Sequence, residues 1–438
     1  MPEIENTKPA RLSGRITAVA IAVFLITCAF VLTKTGRDAL YFQGRGLFDL
    51  PAAYMGIAML SLPMALVTLW LMRALGPRRA RVLVPLAMAA ILVAFHAAAR
   101  PGGGPVMTAF FILVPLAFGV LFSLTWLLAA DLLDRAPRRD LARCYSIVGA
   151  ASIGGGVLGA LLAKAVASRI EPQRFLLLGA AGLAAAAVVI GMAQSACPSR
   201  LRLLTGGGAK PSFTDFRAVL KQRYSLLLLA VAVIAALAGV LIEFQFYLTA
   251  AMSGNSGRQN ATFFANVYLV LNGMALAVQL YLMPRLQSAI GVSGSLLVLP
   301  GVLLGGAAAV LATASSATRS ALRVAEGGLK SSIHRANWEQ AYLPLSRAQR
   351  VVAKLLVDGA GARLGEGLAA TLLYLWLHGM MAESMSEARR NAFVTALLLG
   401  ALVVWIALTR VLGGSIAAAA AAPREEEVGP PDFPLPET

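Results

Sequence analysis

Charge is scarce in this chain and acidic charge scarcest: Asp and Glu supply 21 of 438 residues, Lys and Arg 38, together 13%. Soluble domains carry about 25% charged residues, so a chain that is 58% hydrophobic is not a string of them. Cysteine is nearly absent. Cys28, Cys144 and Cys197 are scattered, which argues against a disulfide framework and a cysteine-bound metal. The stretch "LITC", ending at Cys28, has Thr27 at a position where a lipoprotein box disfavours it. His96, His334 and His378 stand far apart and support no metal constellation. A phosphate-binding loop is missing too: "GGLKSS" has Leu329, and "TGGGAK" has Ala209, where glycine must precede the lysine. With no nucleophile–base pair either, the expectation is a non-enzyme that needs no cofactor and no metal.

What the chain has in quantity is long apolar runs. A membrane-spanning helix needs roughly 20 mostly apolar residues. Such runs lie at Ile16–Leu32, Pro51–Leu71, Val82–Ala98, Pro105–Ala130, Cys144–Ala167 and Phe175–Ala193. They continue at Tyr224–Ala250, Phe263–Ala289, Leu296–Leu311, Leu364–Met381 and Ala392–Leu408. The first lacks a small-residue cleavage site and is not read as a removable signal. The expected class is an all-α, polytopic membrane protein whose primary partner is the lipid bilayer.

The formal charge of +17 suits nucleic acid by sign, but its placement suits a membrane better. Arg73, Arg78, Arg79 and Arg81 follow the second run, and Arg135, Arg138, Arg139 and Arg143 follow the fourth. Arg200, Arg202, Lys210, Arg217, Lys221 and Arg223 follow the sixth. The alternate connections are poor in charge: Arg100, then Arg169 and Arg174, then Arg258. Basic residues stay cytoplasmic during insertion, so both ends of the first six runs are expected inside the cell. No nucleic-acid partner is expected.

The two halves repeat each other in order. "LMRAL" at 71–75 matches "LMPRL" at 282–286, "VLVPL" at 82–86 matches "LLVLP" at 296–300, and Trp126 matches Trp338. "DRA" at 134–136 matches "SRA" at 346–348, where Asp134 and Ser346 are good caps for short amphipathic cytoplasmic helices. "IGGGVLGALL" at 153–162 matches "LGEGLAATLL" at 364–373. Two parallel six-helix repeats are the architecture of the major facilitator superfamily, with about twelve spanning helices. The expected division is a cytoplasmic N-terminus (1–15), a first bundle (16–196), a cytoplasmic linker (197–222), a second bundle (223–412) and a disordered tail (413–438).

The repeat gives meaning to "TRSALRVAEGGLKSSIHRANWEQAY" at 318–342. Residues of about 312 to 337 stand where the fourth run stands in the first half, so they are expected to cross. Arg319, Arg323, Glu326, Lys330 and His334 then share one side of a helix. An Arg or Lys at mid-bilayer costs roughly 2.5–3.5 kcal/mol, so this stripe is expected to face the bundle interior, with Glu326 reaching Arg323 and Lys330. Lys34, Arg37 and Asp38, in "LTKTGRDALYFQ", are read at the end of the first helix, either snorkelling or serving an outer mouth. Glu243 lies deep in the seventh run with Tyr247 one turn on, as a proton relay or the partner of a distant base. Gln279 suits an interhelical hydrogen bond, Lys164 snorkelling, and Gly154, Gly155, Gly156 and Gly159 close helix approach.

Several stretches resemble the ATP/ADP translocase (nucleotide transporter) family, in its bacterial branch: "TKTGRDALYF", "DLPAAYMGIAMLSLP", "ADLLDRAPRRDLARCYSIVGAASIGGGVLG", "EFQFYLTAA" and "WEQAYLPLSRAQRVVAKLLVDGAGARLGEGLA". They run in the expected order from about Lys34 to Leu373. The resemblance implies a facilitator-like fold, nucleotide exchange, and a charged tenth helix as a family feature. Two lysines of the family pattern are replaced, one near Tyr54 and one at Glu366. A nucleotide, a less charged anion and an unrelated solute therefore stay open. The expected function is secondary transport of a small-molecule anion, ATP and ADP first among the candidates. The expected substrate-binding residues are Arg319, Arg323, Glu326, Lys330, Glu243, Lys34, Arg37 and Asp38. The rivals are transport of another organic anion and a scaffold that has kept only the fold.

Overall fold

A computed structural model describes residues 9–44, 49–98, 104–133, 138–195, 217, 219–252, 256–342, 344–345, 347–379 and 387–421. These are almost wholly helical, with no strand among the described residues. The first half comprises α1 (Pro9–Gly44), α2 (Leu50–Leu75), α3 (Pro77–Ala98), α4 (Gly104–Leu133), α5 (Arg138–Ala167) and α6 (Arg174–Ser195). The second comprises α7 (Arg223–Met252), α8 (Gly257–Ala277), α9 (Met283–Thr313), α10 (Ser316–Leu329), α11 (Arg335–Ala341), α12 (Arg347–Lys354), α13 (Ala362–His378) and α14 (Glu387–Ala421). π-helical turns at Val278–Leu282, Lys330–His334 and Leu355–Gly361 join α8 to α9, α10 to α11, and α12 to α13. Among the described residues these make eleven rods, and twelve, six in each half, once the α8–α9 rod is divided at Gly291.

Nine helical stretches among the described residues are long and apolar enough to cross a membrane. One of them, Gly257–Thr313, is 57 residues, far more than the roughly 20 a crossing needs, and breaks at Gly291, whose φ is 66°. That positive φ suits a residue without Cβ, so the stretch is two crossings. α10 with α11 fails the apolar test because of its charges, yet it packs against α7, α8 and α9 like any crossing helix. Ser315 starts it firmly, its side chain accepting the Thr318 backbone N–H at 3.1 Å.

The structure revises several expected boundaries. α1 runs on to Gly44, so Lys34, Arg37 and Asp38 are in a helix interior and not at its end. α14 continues to Ala421, past position 412. The basic residues from Arg138 and from Arg347 run straight into the crossing helices rather than forming separate surface helices. Their expected caps, Asp134 and Ser346, lie outside the described residues, as do most of the expected linker and the tail beyond Ala421. Gln279 bonds one turn along its own rod, to Met283 Sδ at 3.8 Å, in place of the expected interhelical partner.

Glycines set how closely the helices pack. A Cβ on Gly155 would come within 2.2 Å of the Phe24 carbonyl oxygen of α1. On Gly365 it would come within 2.1 Å of the Val233 carbonyl oxygen of α7. Each half thus seats its fifth helix on its first by the same device. The neighbouring glycines cross between halves: Gly156 abuts Asn272 of α8, and a Cβ on Gly367 would stand 3.5 Å from the Ala58 Cβ of α2. The halves pack along these two seams, α5 on α8 and α2 on α13, related by an approximate two-fold axis.

Candidate functional site

α1, α7 and α10 bring charge to the plane where the halves meet. The Lys34 ammonium lies 3.2 Å from Glu243 Oε1, and Arg323 Nη2 donates to the same oxygen at 2.9 Å. The Tyr54 hydroxyl donates to Glu243 Oε2 at 3.1 Å. Arg323 also pairs with Glu326, which accepts from Lys330 Nζ at 3.0 Å. The acid singled out for having no base on its own helix therefore finds one on α1 and another on α10. Gly239, one turn before Glu243, leaves the room: a Cβ there would sit 3.4 Å from Lys330 Nζ and 3.5 Å from Glu326 Oε1.

A second set of bonds lies one turn further along α1. Arg37 Nε donates to Asp38 Oδ1 at 2.7 Å, and Arg37 Nη2 donates to the Tyr247 hydroxyl at 3.2 Å. Its guanidinium also rests on the Phe111 ring of α4, 4.1 Å from the centroid. Asp38 Oδ2 accepts from Tyr247 at 3.0 Å and from the Tyr268 hydroxyl. Tyr247 has one proton to give, and Glu243 Oε1 lies 3.4 Å from its oxygen as a second acceptor. The phenol can therefore hand its hydrogen bond from one carboxylate to the other. Arg37 and Asp38 are buried, 4% and 0% exposed. They neither snorkel nor line a mouth, because neighbouring side chains and a ring take the place of water.

Exposure grades along the site. Beyond Asp38, Phe42 packs on Tyr247 with centroids 4.8 Å apart, closing the interface toward the Gly44 end of α1. In the other direction Lys34 and Glu243 are partly open, and the Lys330 side chain is 52% exposed although Glu326 beside it is 4% exposed. The open side of the cluster therefore faces the Pro9 end of α1. A surface ion pair across the halves, Arg258 to Glu171 at 2.5 Å, caps the closed end.

Of the expected residues, Lys34, Arg37, Asp38, Glu243, Arg323, Glu326 and Lys330 join this bonded network. Arg319, one turn before Arg323, is buried nearer the closed end. His334 leaves the stripe, because the π turn that starts at Lys330 shifts the register of the residues after it. Its ring instead stacks on Trp338 and meets Trp405 of α14 edge-on. Tyr268 and Phe111 do not stand out in the sequence, where an aromatic in an apolar helix looks like any core residue. The signal for Tyr268 is indirect: a buried Asp38 needs donors.

No family model matches the chain, and no curated protein matches it by sequence. Solved structures do match. The nucleoside transporter NupG superposes with a TM-score of 0.62 at 13% identity, over 93% of this chain and 99% of that one. A bacterial homologue of the human lysosomal transporter Spinster, inward-facing and unoccupied, gives 0.56 at 15% identity, over 95% of this chain and 100% of that one. The POT-family transporter PepTSo gives 0.60 at 11% identity, over 92% of this chain and 98% of that one. At these identities the likeness is one of fold. The chain is an integral, multi-pass membrane protein with the major facilitator-like architecture.

Proposed function

We propose that this protein is a secondary transporter that moves an anionic small molecule by alternating access, a nucleotide in ATP/ADP-type exchange being the first substrate class to test. The observation that carries the reading is the charge cluster between the halves. Four cations, Lys34, Arg37, Arg323 and Lys330, meet three carboxylates, Asp38, Glu243 and Glu326, and Arg319 is buried one turn before Arg323. A net positive surface in a bundle interior is costly unless an anion visits it. The comparisons support a solute-moving fold, and the resemblance supports the nucleotide.

The basic connections support both termini in the cytoplasm, and the resemblance supports a bacterial inner membrane. The closed Gly44 end of α1 then faces outward, and the half-open Lys330 faces the cell interior. A second reading, transport of an organic anion of lower charge, has its own support. Tyr54 bonds Glu243, and Glu366 pairs with Arg363 at 2.5 Å, where the nucleotide family carries lysines. Both positions subtract positive charge.

The test is counterflow in proteoliposomes loaded with unlabelled ADP, with labelled ATP outside and empty liposomes as reference. Uptake that requires internal ADP supports nucleotide exchange. Uptake only of mono- or dicarboxylates or phosphates from a wider panel supports the second reading. No uptake of any anion by folded protein overturns both.

A further inference from the structure

A separate feature lies on the lipid-facing flank of the first half. An open groove of about 450 Å³ runs between the start of α3 and the end of α6. It is lined by Arg78, Arg79, Val82, Leu83, Gly191 and Gln194. Gln194 is 8% exposed, and neither its Oε1 nor its Nε2 has a hydrogen-bond partner. A buried amide with both ends unsatisfied is rare in a folded protein and needs a polar guest. Gly191 keeps the floor low: a Cβ there would meet only Val82, at 4.0 Å.

The rest of the groove says what the guest is. Two exposed arginines stand in the first turn of α3, where the helix dipole also favours negative charge. Leu83 and Leu86 on α3 and Val188 on α6 are exposed, so an apolar track leads from the arginines along the bundle flank. Basic pockets between spanning helices at the cytoplasmic side suit anionic headgroups. We infer that this groove holds an anionic glycerophospholipid, its phosphate on Arg79 and Arg78, a headgroup or ester oxygen on Gln194, and an acyl chain along Leu83 and Leu86. The inference rests on the membrane fold alone and is independent of what the central cluster transports.

The test is native mass spectrometry of the full chain in detergent with added phosphatidylglycerol, phosphatidylcholine or glycerol 3-phosphate. Phosphatidylglycerol is expected to stay bound under activation that strips phosphatidylcholine. Arg79→Ala and Gln194→Leu are each expected to cut the retained fraction at least fivefold, while Arg285→Ala, which removes an arginine elsewhere, leaves it unchanged. Equal retention in all three variants overturns the inference. So does displacement of the lipid by glycerol 3-phosphate, which marks a soluble-phosphate site. Should either groove variant fail to run as a single species, photo-crosslinkable phosphatidylglycerol on the wild-type chain decides. Labelled peptides from α3 or α6 support the groove, and labelling confined to other helices overturns it.

Discussion

Lys34 and Glu243 are 209 residues apart, and their side chains meet at 3.2 Å between the first helix of one half and the first helix of the other. Asp38 and Tyr247, one turn on, share the same separation. The two pairs therefore keep α1 and α7 in one register across a full turn, at the place where the halves meet. The Lys34–Glu243 pair joins the two halves, so an anion that competes for Lys34 would loosen the interface. If the proposed function holds, the natural competitor would be the anionic group of the substrate, and the Glu243 carboxylate would act as its stand-in in the empty protein.

Glu243→Gln tests that role. The amide keeps the shape but leaves Lys34 and Arg323 without their shared carboxylate. Substrate affinity in the binding-competent state is expected to rise about tenfold, worth ~1.4 kcal/mol, while exchange slows because the halves no longer re-form the pair. Equilibrium binding and counterflow on the same preparation read both effects. Weaker binding together with slower exchange would place Glu243 in direct contact with substrate and remove the stand-in role.

Arg37 and Asp38 are expected to report on stability more than on transport. Removing one partner of a buried ion pair costs about 3–5 kcal/mol, because the other charge stays behind unpaired. Arg37→Ala leaves Asp38 with only two phenols and is expected to lower the midpoint of thermal unfolding in detergent sharply. Arg37→Ala combined with Asp38→Asn is expected to recover much of that loss. If the double variant is as unstable as the sum of the two singles, the pair is not acting as a unit.

What the sequence reveals of this site, and what it hides, depends on chain distance. Glu326 lies three residues from Arg323 and four from Lys330, so spacing alone pairs it with both. Glu243 is marked as anomalous by one acid in a long apolar run, but its bases are on α1 and α10 and no periodicity points to them. The extent of α1 is hidden for a related reason: Lys34, Arg37 and Asp38 look like a helix end because an isolated charge does not cross a bilayer. They cross because each has a partner from another helix. Spacing puts His334 on the wrong face because it assumes 3.6 residues per turn, and the π turn at Lys330–His334 breaks that rule.

Gly155 and Gly365 carry matching packing roles, and alanine tests them as a pair. A Cβ at either position meets a backbone carbonyl at 2.2 or 2.1 Å, which no side-chain rotation relieves. Gly155→Ala and Gly365→Ala are each expected to destabilise by about 1–3 kcal/mol through overpacking. Gly119→Ala and Gly273→Ala, where no atom lies within 4 Å, are the controls, and there alanine is expected to be neutral or stabilising. Unfolding midpoints of the four variants are the measurement. A neutral Gly155→Ala would mean that α1 and α5 do not approach as closely as the structure has them.

The Arg258–Glu171 pair at the closed end separates conformational change from binding. Both side chains are about half exposed, so the pair itself is worth only about 0–1 kcal/mol, and alanine at either position is expected to leave stability unchanged. Its value lies in its place, because it spans the halves at the closed end, which would have to part in the proposed alternating access. Glu171→Cys with Arg258→Cys, joined by a short bis-methanethiosulfonate reagent that loses methanesulfinate at each thiol, is expected to abolish counterflow while leaving substrate binding from the open side intact. Reductive release of a cleavable linker is expected to restore exchange. Cys28 and Cys144 are buried and are not expected to react under these conditions, and Cys197, outside the described residues, is replaced by Ser in all variants. Full exchange in cross-linked protein would mean that the halves do not separate at this end, and alternating access across the Lys34–Glu243 axis would be wrong.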